Sequence, residues 1–501
     1  MTHLDGDHRM QSQIKVLLPW NASNFMPLNA FHPIYRFLIE KEGTHSYPIE
    51  NLTFNENLLL DAFLLDKGCV LQECLRDLSQ KINLERKHKP EYQEVWEFFD
   101  IHEALAGEIS RCDLQILHTT PLSLGIKPFI YHLESFETLF YPWSMDDPCL
   151  ISASPEKVQS LLGYLRVLLE SPQCLAIVSH LRGTLERFKS VFQSERILEK
   201  LDYCPLGFPV WKKNEEGKKT FRFVFSSIPT YMNISDIDRS GIRSIFQFMK
   251  IWLEKFPEDE FILCLPPMEE NIFFEIDTSN ILLNPQVYNF GNQYLNESEF
   301  KNILISSDFV LLPSYHLQSA SILQSMGAGV IPIVTNINSV EELGLDSSNS
   351  IIIDIIPNLH KTQNSLFGEI FSLHEFISQS SSIAESMLRQ LEGLKKNHLR
   401  KIELSQNAQN TIRKKYDPSS ASLQFIKIVQ DRFDNFRKLS KTLAENNRSK
   451  PTSDFLSTYH SLYGIPEDLV PLRPVTRDDY DTLPTYRSFW KVRNVSLLFR
   501  I

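Results

Sequence analysis

The chain has 501 residues and a formal net charge of −11, with 51 Lys and Arg against 62 Asp and Glu. This length is enough for about two to four domains, and the acidic balance argues against nucleic-acid binding as the main role, because phosphate neutralisation needs a basic surface. The seven cysteines show no CxxC spacing, which indicates neither a disulfide framework nor a zinc site and favours a cytoplasmic protein.

Short apolar segments of four or five residues recur along the chain and are typical of buried strands. In chain order they lie at 14–18, 114–117, 129–132, 174–178, 221–225, 261–265, 287–290, 309–312, 330–334 and 351–355. Helical spacing predicts helices at 28–41, 155–169, 241–255 and 319–326, and a charged helical region at 382–443. Strands that alternate with helices in this way favour an α/β fold with parallel sheets covered on both faces.

A segment with two prolines, two glycines and a cluster of charges, residues 205–219, separates two halves that each begin with a strand. We therefore predict an N-terminal domain at 1–207, a linker at 208–220 and a C-terminal domain at 221–415. Residues 416–501 are predicted to form a C-terminal helix and an irregular tail that packs back on the N-terminal domain.

The segment 306–336 has the pattern strand, turn, helix, glycine-containing turn, strand. Its helix begins with Ser319, Ala320 and Ser321, whose small side chains leave the backbone N–H groups and the positive end of the helix dipole open to a phosphate. Most helices that begin in this way in α/β proteins bind nothing. The residues alone therefore leave both an anion site and an ordinary helix start open.

The same segment resembles the donor-binding signature of the retaining GT-B glycosyltransferases of family 4, which use nucleotide sugars. The residues in register with that signature are Asp308, Pro313, Ser314, Met326, Gly329, Pro332 and Thr335. Further landmarks occur in the family's order at 114–121, 129–132, 176–181, 205–207, 287–291, 339–342 and 403–416. The resemblance covers about 110 to 430 and implies a GT-B fold, in which two Rossmann-like domains have parallel sheets that face each other across a cleft.

The resemblance also implies an activity. A sugar would pass from a nucleotide-sugar donor to an acceptor, with retention of configuration and without a metal or other cofactor. The acceptor is open between a glycan, a lipid-linked glycan and a protein. The chain has no DxD at a strand end, no G-x-S-x-G and no P-loop, which argues against metal-dependent, hydrolase and kinase chemistry. No apolar run is long enough to span a bilayer, although the basic residues at 395–401 and 413–415 leave peripheral membrane contact open.

The chain departs from the family where the donor diphosphate would bind. The family's two donor-helix glutamates correspond here to His316 and Gln324, and its arginine and lysine to Ser227 and Ser240. Arg239 lies beside the lost lysine position and Arg243 one turn into the helix at 241–255, and residues four apart share a helix face. We predict that they bind the diphosphate, where a cation stabilises the leaving group; two solvated arginines are the alternative.

The remaining predicted site residues complete the cleft. Ser227 and Glu342 belong to the predicted donor site, together with Gln324 at the ribose. His118, at the carboxyl end of a strand, is expected to face the cleft and, by resemblance, to lie beside the transferred sugar, unless it only caps the strand. His316 either contacts a sugar hydroxyl or is an exposed turn residue. Asn21 and Glu134 are predicted on the acceptor side.

The lost charged residues leave two rival functions open. One is a GT-B scaffold that has lost its donor site and serves as partner or chaperone of another enzyme. The other is a different reaction on the same fold, such as epimerisation of a nucleotide sugar, for which the sequence offers no acidic pair in the cleft.

Overall fold

A computed structural model describes residues 15–18, 113–118, 128–140, 155–213, 220–226, 238–264, 279–290, 297–337, 340–355, 362–364, 368–370, 373–447 and 497–500. The predicted helix at 28–41, Asn21 and Ser227 lie outside these residues. The structure contains two six-stranded sheets, and each is the centre of one unit of the protein.

The N-terminal unit is built on strands β1 to β5, with one strand from the end of the chain. The bounds are β1 Lys15–Leu18, β2 Leu114–His118, β3 Phe129–His132, β4 Cys174–Ser179 and β5 Leu201–Tyr203, with Leu497–Arg500 as the last strand, β14. The order in the sheet is β14-β1-β2-β3-β4-β5. Every neighbouring pair is parallel except β14 with β1. Strands β3 and β4 are buried along their whole length, as expected for parallel strands covered on both faces.

The C-terminal unit has a sheet in which all neighbouring strands are parallel. Its strands are β6 Arg222–Ser226, β7 Glu260–Cys264, β8 Val287–Asn289, β9 Phe309–Leu312, β10 Ile331–Thr335 and β11 Ile351–Ile353. The order is β8-β7-β6-β9-β10-β11. When these strands are counted from β6, this is the 3-2-1-4-5-6 order of the doubly wound dinucleotide-binding fold. The predicted α/β class with parallel, Rossmann-like sheets is therefore confirmed.

Helices connect and cover these strands. Those of the N-terminal unit are α1 Pro155–Glu170, α2 Arg182–Phe192 and α3 Glu195–Leu198, with a 3₁₀ helix at Phe136–Phe140. The other helices are α4 Ile242–Lys255, α5 Ser279–Leu282, α6 Glu297–Ile305, α7 Ser319–Gly327, α8 Leu373–Ser378, α9 Ser380–Lys395, α10 His398–Lys415 and α11 Pro418–Asn447. A further 3₁₀ helix lies at Glu341–Leu343, and strands β12 Thr362–Asn364 and β13 Gly368–Ile370 form an antiparallel pair. None of the described helices combines the length and the apolar character needed to cross a membrane.

The charged region at 382–443 is helical, as predicted, and is divided into three helices, α9, α10 and α11. The side chain of Asn397 accepts a hydrogen bond from the backbone N–H of Arg400 and so begins α10, a role for which asparagine is favoured. Asp417 accepts in the same way from Ser420, at 2.8 Å, and Pro418 is the first residue of α11. Proline is well suited to this position because the first helical N–H has no partner within the helix.

An aromatic layer fixes the strands at the centre of the C-terminal sheet. Phe223 on β6 stacks on Phe261 of β7 at 4.7 Å and on Phe309 of β9 at 5.3 Å between ring centroids. Trp252 of α4 meets the same ring edge-on at 5.4 Å. Paired aromatic rings add to the apolar burial that holds a sheet and helix together. This packing fixes the positions of β6 and β9 relative to each other.

In the part of the chain that the structure describes, two stretches contact both units. Segment 204–213 runs over the C-terminal unit, where Trp211 N–H donates to the Gly327 carbonyl at 2.9 Å. A Cβ atom at Gly327 would lie 2.5 Å from the Pro209 carbonyl oxygen, so this close approach needs a glycine. Helix α11 returns to the N-terminal unit, where Arg432 pairs with Asp202 at 2.8 Å. Both crossings hold the two units side by side.

Candidate functional site

The adjacent strands β6 and β9 mark the point where the C-terminal sheet reverses its winding. Helix α4 follows β6 and helix α7 follows β9. In doubly wound sheets, ligands bind in the crevice beyond the carboxyl ends of the strands at this point. Two segments border it: residues 238–241 before α4 and residues 313–319 between β9 and α7.

These two segments are fastened to each other through the backbone. The N–H of Tyr315 donates to the carbonyl of Arg239 at 2.7 Å. Gly241 has a φ of +76°, and a Cβ atom there would lie 1.9 Å from the Pro313 carbonyl oxygen. Only glycine allows both this backbone conformation and this approach. The position of Arg239 relative to the turn after β9 is therefore set by the main chain.

Arg239 and His316 meet at this crevice. The Arg239 side chain is only 6% exposed. Burial, and to a smaller extent the positive charge of Arg239, together lower the pKa of His316 to about 3. The imidazole is therefore neutral at physiological pH and half-buried, so it is not an exposed turn residue. A buried guanidinium beside a neutral imidazole is suited to bind a phosphate oxygen and to donate a further hydrogen bond.

Arg243 differs from Arg239 in its surroundings. It forms an ion pair with Asp238 at 2.5 Å, across the start of α4. The Asp238 carboxylate offsets the charge that Arg243 would offer to a diphosphate. Arg239 therefore lies against the turn that follows β9, whereas Arg243 is paired with a carboxylate.

The turn after β9 is held by two short hydrogen bonds. Ser314 Oγ donates to the His316 carbonyl at 2.6 Å, and Thr335 Oγ1 donates to the Ser314 carbonyl at 2.6 Å. These bonds link the turn to the end of β10 and bring the chain to the first residue of α7, Ser319.

Ser319 makes one of the contacts between the two units. Its side chain is fully buried. The hydroxyl donates to Glu134 Oε1 at 2.8 Å and lies 2.8 Å from His180 Nε2. Glu134 follows β3 and His180 follows β4, so the carboxyl ends of the two sheets face each other here, as the predicted architecture requires.

The polar groups on the N-terminal side form one connected cluster. The rings of His132 and His180 stack at 6.0 Å between centroids. Burial raises the pKa of Glu134, against the smaller lowering effect of the Ser319 hydrogen bond. Sequence reasoning predicted Glu134 but not His180. The available signal was that His118, His132 and His180 each lie at or just after the carboxyl end of consecutive strands.

Glu342 makes a second contact between the units. Its carboxylate accepts from the backbone N–H groups of Arg182 at 2.5 Å and Gly183 at 2.9 Å, the first two residues of α2. The guanidinium of Arg182 lies 4.0 Å above the ring of Tyr203. Glu342 was predicted in the donor site. The structure shows its carboxylate capping a helix of the opposite unit.

The other predicted site residues that the structure describes lie on α7 and at the end of β2. Gln324 is 8% exposed on α7, and Ala320 and Ser321 are half-buried in the first turn of that helix. His118 ends β2, paired in register with His132. Among the described residues, no group of three or more His, Cys, Asp or Glu side chains is arranged to hold a metal ion.

Comparisons with known proteins add the following. No protein-family model matches the chain, and no curated protein sequence matches it. Anabaena HepE in complex with UDP and glucose is 11% identical, with 66% of this chain and 81% of that chain covered and a TM-score of 0.43. The sucrose-phosphate synthase of Thermosynechococcus elongatus is 11% identical, with 69% of this chain and 79% of that chain covered and a TM-score of 0.44. TarM is 10% identical, with 63% of this chain and 54% of that chain covered and a TM-score of 0.42. Likenesses this low do not establish a family; the fold is established by the strand order.

Proposed function

We propose that the protein is a glycosyltransferase that takes a sugar from a nucleotide-sugar donor. In this proposal the donor binds in the β6–β9 crevice of the C-terminal unit and the acceptor binds on the N-terminal side of the cleft. Retention of configuration and independence from a metal follow from the family resemblance of segment 306–336. The acceptor is a glycan, a lipid-linked glycan or a protein.

The observation that carries the proposal is the buried Arg239 at the switch point of the C-terminal sheet. Glycosyl transfer leaves additional negative charge on the nucleoside diphosphate. A cation in a site of low polarity stabilises that charge more than the same cation in water does. Arg239 is 6% exposed and is joined by its backbone to the turn after β9, so it is held in place before the reaction.

Other residues of the crevice have supporting roles in this proposal. The neutral His316 donates a hydrogen bond to the diphosphate or to a sugar hydroxyl. The N–H groups of the first turn of α7, from Ser319 to Ser321, bind phosphate oxygens, where the helix dipole favours negative charge. Gln324 bonds the ribose, and His118 lies beside the transferred sugar.

Calorimetric titration with UDP, GDP, ADP and CMP tests the donor site. We expect micromolar binding of one of them, which corresponds to about 8 kcal/mol. In Arg239→Met the apolar part of the side chain is kept and the charge is lost. Loss of a charged hydrogen bond, about 1.5–3 kcal/mol, predicts binding roughly 10- to 100-fold weaker.

Two variants serve as controls for this titration. Arg413→Met removes a charge at the exposed end of α10 and should leave binding unchanged. Arg243→Met should weaken binding less than Arg239→Met does, because Asp238 already offsets its charge. If Arg239→Met binds the nucleotide as tightly as the wild type, the donor-site assignment is wrong.

One observation favours the rival function, a scaffold without catalysis. The Glu134 carboxylate contacts the first residue of α7, where a donor phosphate would have to bind, and Arg243 is paired with Asp238. For a scaffold we expect no binding of any of the four nucleotides at millimolar concentration, and no release of nucleoside diphosphate from nucleotide sugars.

A further inference from the structure

Two helices begin at the interface between the units, and each meets a carboxylate from the opposite unit. At α2 the carboxylate is that of Glu342, which caps two backbone N–H groups. At α7 it is that of Glu134, which accepts from the Ser319 hydroxyl. Neither helix is capped by a side chain of its own preceding residue, Leu181 or Gln318.

We propose that Glu134 is an internal competitor for the anion site at the first turn of α7, which a nucleoside diphosphate must displace in order to bind. This inference rests on the proposed function and adds to it a residue that sets the affinity of the donor site. It also explains how the cleft can contain the half-buried Glu134 carboxylate at the place where the donor's negative charge is expected.

The carboxylate of Glu134 carries negative charge, as the diphosphate of the donor does. A carboxylate and a phosphate are both stabilised near the N-terminus of a helix, and only one anion fits against the same first turn. Ser319, which binds the carboxylate, is fully buried, so water does not screen the repulsion between Glu134 and an incoming diphosphate. Burial also raises the pKa of Glu134, and the carboxylate therefore gains hydration when it leaves this position.

The geometry allows the side chain to leave without refolding. The backbone around Glu134 is held by Leu133 N–H, which donates to the Val178 carbonyl at 2.9 Å, and by the Glu134 carbonyl, which accepts from Thr184 Oγ1 at 3.3 Å. The carboxylate itself has the Ser319 hydroxyl as its hydrogen-bond donor. Rotation about the side-chain bonds of Glu134 would break one hydrogen bond and release the helix start.

His180 and Glu342 keep the units together while this exchange occurs. His180 Nε2 lies 2.8 Å from Ser319 Oγ, and this contact does not depend on Glu134. Glu342 is bound to backbone groups of α2, away from the β6–β9 crevice. The two carboxylates therefore differ in role: Glu134 competes with a ligand, and Glu342 joins the units.

The test is calorimetric titration of Glu134→Gln and wild type with the nucleotide that binds. Glutamine keeps the size and can still accept a hydrogen bond from Ser319, but it carries no charge. We expect the variant to bind at least about fivefold more tightly, the lower end of typical coupling between ligand sites. Glu341→Gln, an exposed carboxylate beside Glu342, is the matched control and should bind like the wild type. Equal or weaker binding by Glu134→Gln overturns the proposal.

A second probe separates this proposal from the proposed function. If no nucleotide binds to the wild type or to Glu134→Gln, the proposed function fails, and both proteins are then titrated with inorganic pyrophosphate. Binding of pyrophosphate by Glu134→Gln at least about fivefold tighter than by the wild type would support the competitor without a nucleotide. Absence of pyrophosphate binding to both, or equal binding, overturns it.

Discussion

The two carboxylate contacts between the units use the same chemistry in opposite surroundings. Glu342 is exposed and bonds directly to backbone N–H groups of α2. Glu134 reaches α7 through the hydroxyl of a fully buried Ser319. An exposed charge at a helix start contributes about 0.3–1 kcal/mol and is screened by salt. A charge among buried partners is costly as soon as one partner is lost.

This difference indicates which contact is able to act as a switch. When the Glu342 cap is broken, water can bond to the freed N–H groups of α2, so the loss of this contact has little effect on the rest of the protein. At α7, the loss of Glu134 leaves a buried helix start that another anion can satisfy. A site that binds anions is therefore expected at α7 and not at α2.

Ser319→Ala should have the largest effect on stability, because it removes the hydroxyl that links Glu134 and His180 across the units. A buried polar group left without its partner costs about 1–3 kcal/mol. We expect the free energy of unfolding, measured by chemical denaturation, to fall by about that amount. Ser321→Ala, in the same turn of α7 but half-exposed, is the control and should change it by less than about 0.5 kcal/mol.

A Ser319→Ala protein as stable as Ser321→Ala would contradict the buried contact. In that case the two helix starts would be energetically alike, and the difference in burial between them would have no consequence for stability.

The pH dependence of stability should show the effect of burying Glu134. The pKa of Glu134 is raised above its usual 4.5 in the folded protein. Between that value and the folded-state pKa, the native protein binds more protons than the unfolded chain, so this group makes stability fall as pH rises. Glu134→Gln has no carboxyl group at this position and so lacks this fall in stability. The free energy of unfolding of the variant minus that of the wild type should therefore increase as the pH rises from 4, until the folded-state pKa of Glu134 is passed.

Denaturation curves of both proteins at several pH values between 4 and 9 check this expectation, since the other titrating groups, Asp259 included, are common to both. A difference between variant and wild type that is constant with pH would show that Glu134 is ionised at its ordinary pKa when folded.

The sheets and their order of elements were predictable because their signal is local. Each buried strand, such as 309–312, is a continuous apolar run, and helix spacing predicted α7 to within one residue. Helical composition predicted the region at 382–443, but it did not mark the helix starts at Asn397 and Pro418, where the composition stays helical. Breaks of this kind depend on capping residues and not on periodicity.

The site was predicted only in part because its contacts join residues far apart in sequence. His180 and Ser319 are 139 positions apart, and no local pattern links them. Motif register assigned Glu342 to the donor site, whereas the fold directs its carboxylate to α2. Arg243 was assigned by its spacing from Arg239, and that spacing did not reveal its ion pair with Asp238, five residues before it.

Glu342→Gln should have the smallest effect, because the cap it makes is exposed. We expect a loss of about 0.3–1 kcal/mol in the free energy of unfolding at low salt, and a smaller loss in 1 M KCl, where charges are screened within about 3 Å. Glu341→Gln, next to it on the same exposed turn, should change stability less at either salt concentration. A loss that stays the same in high salt would mean that the hydrogen bonds donated by the backbone N–H groups of Arg182 and Gly183, and not the charge of Glu342, hold this contact. In that case only the α7 contact would depend on the charge of a carboxylate.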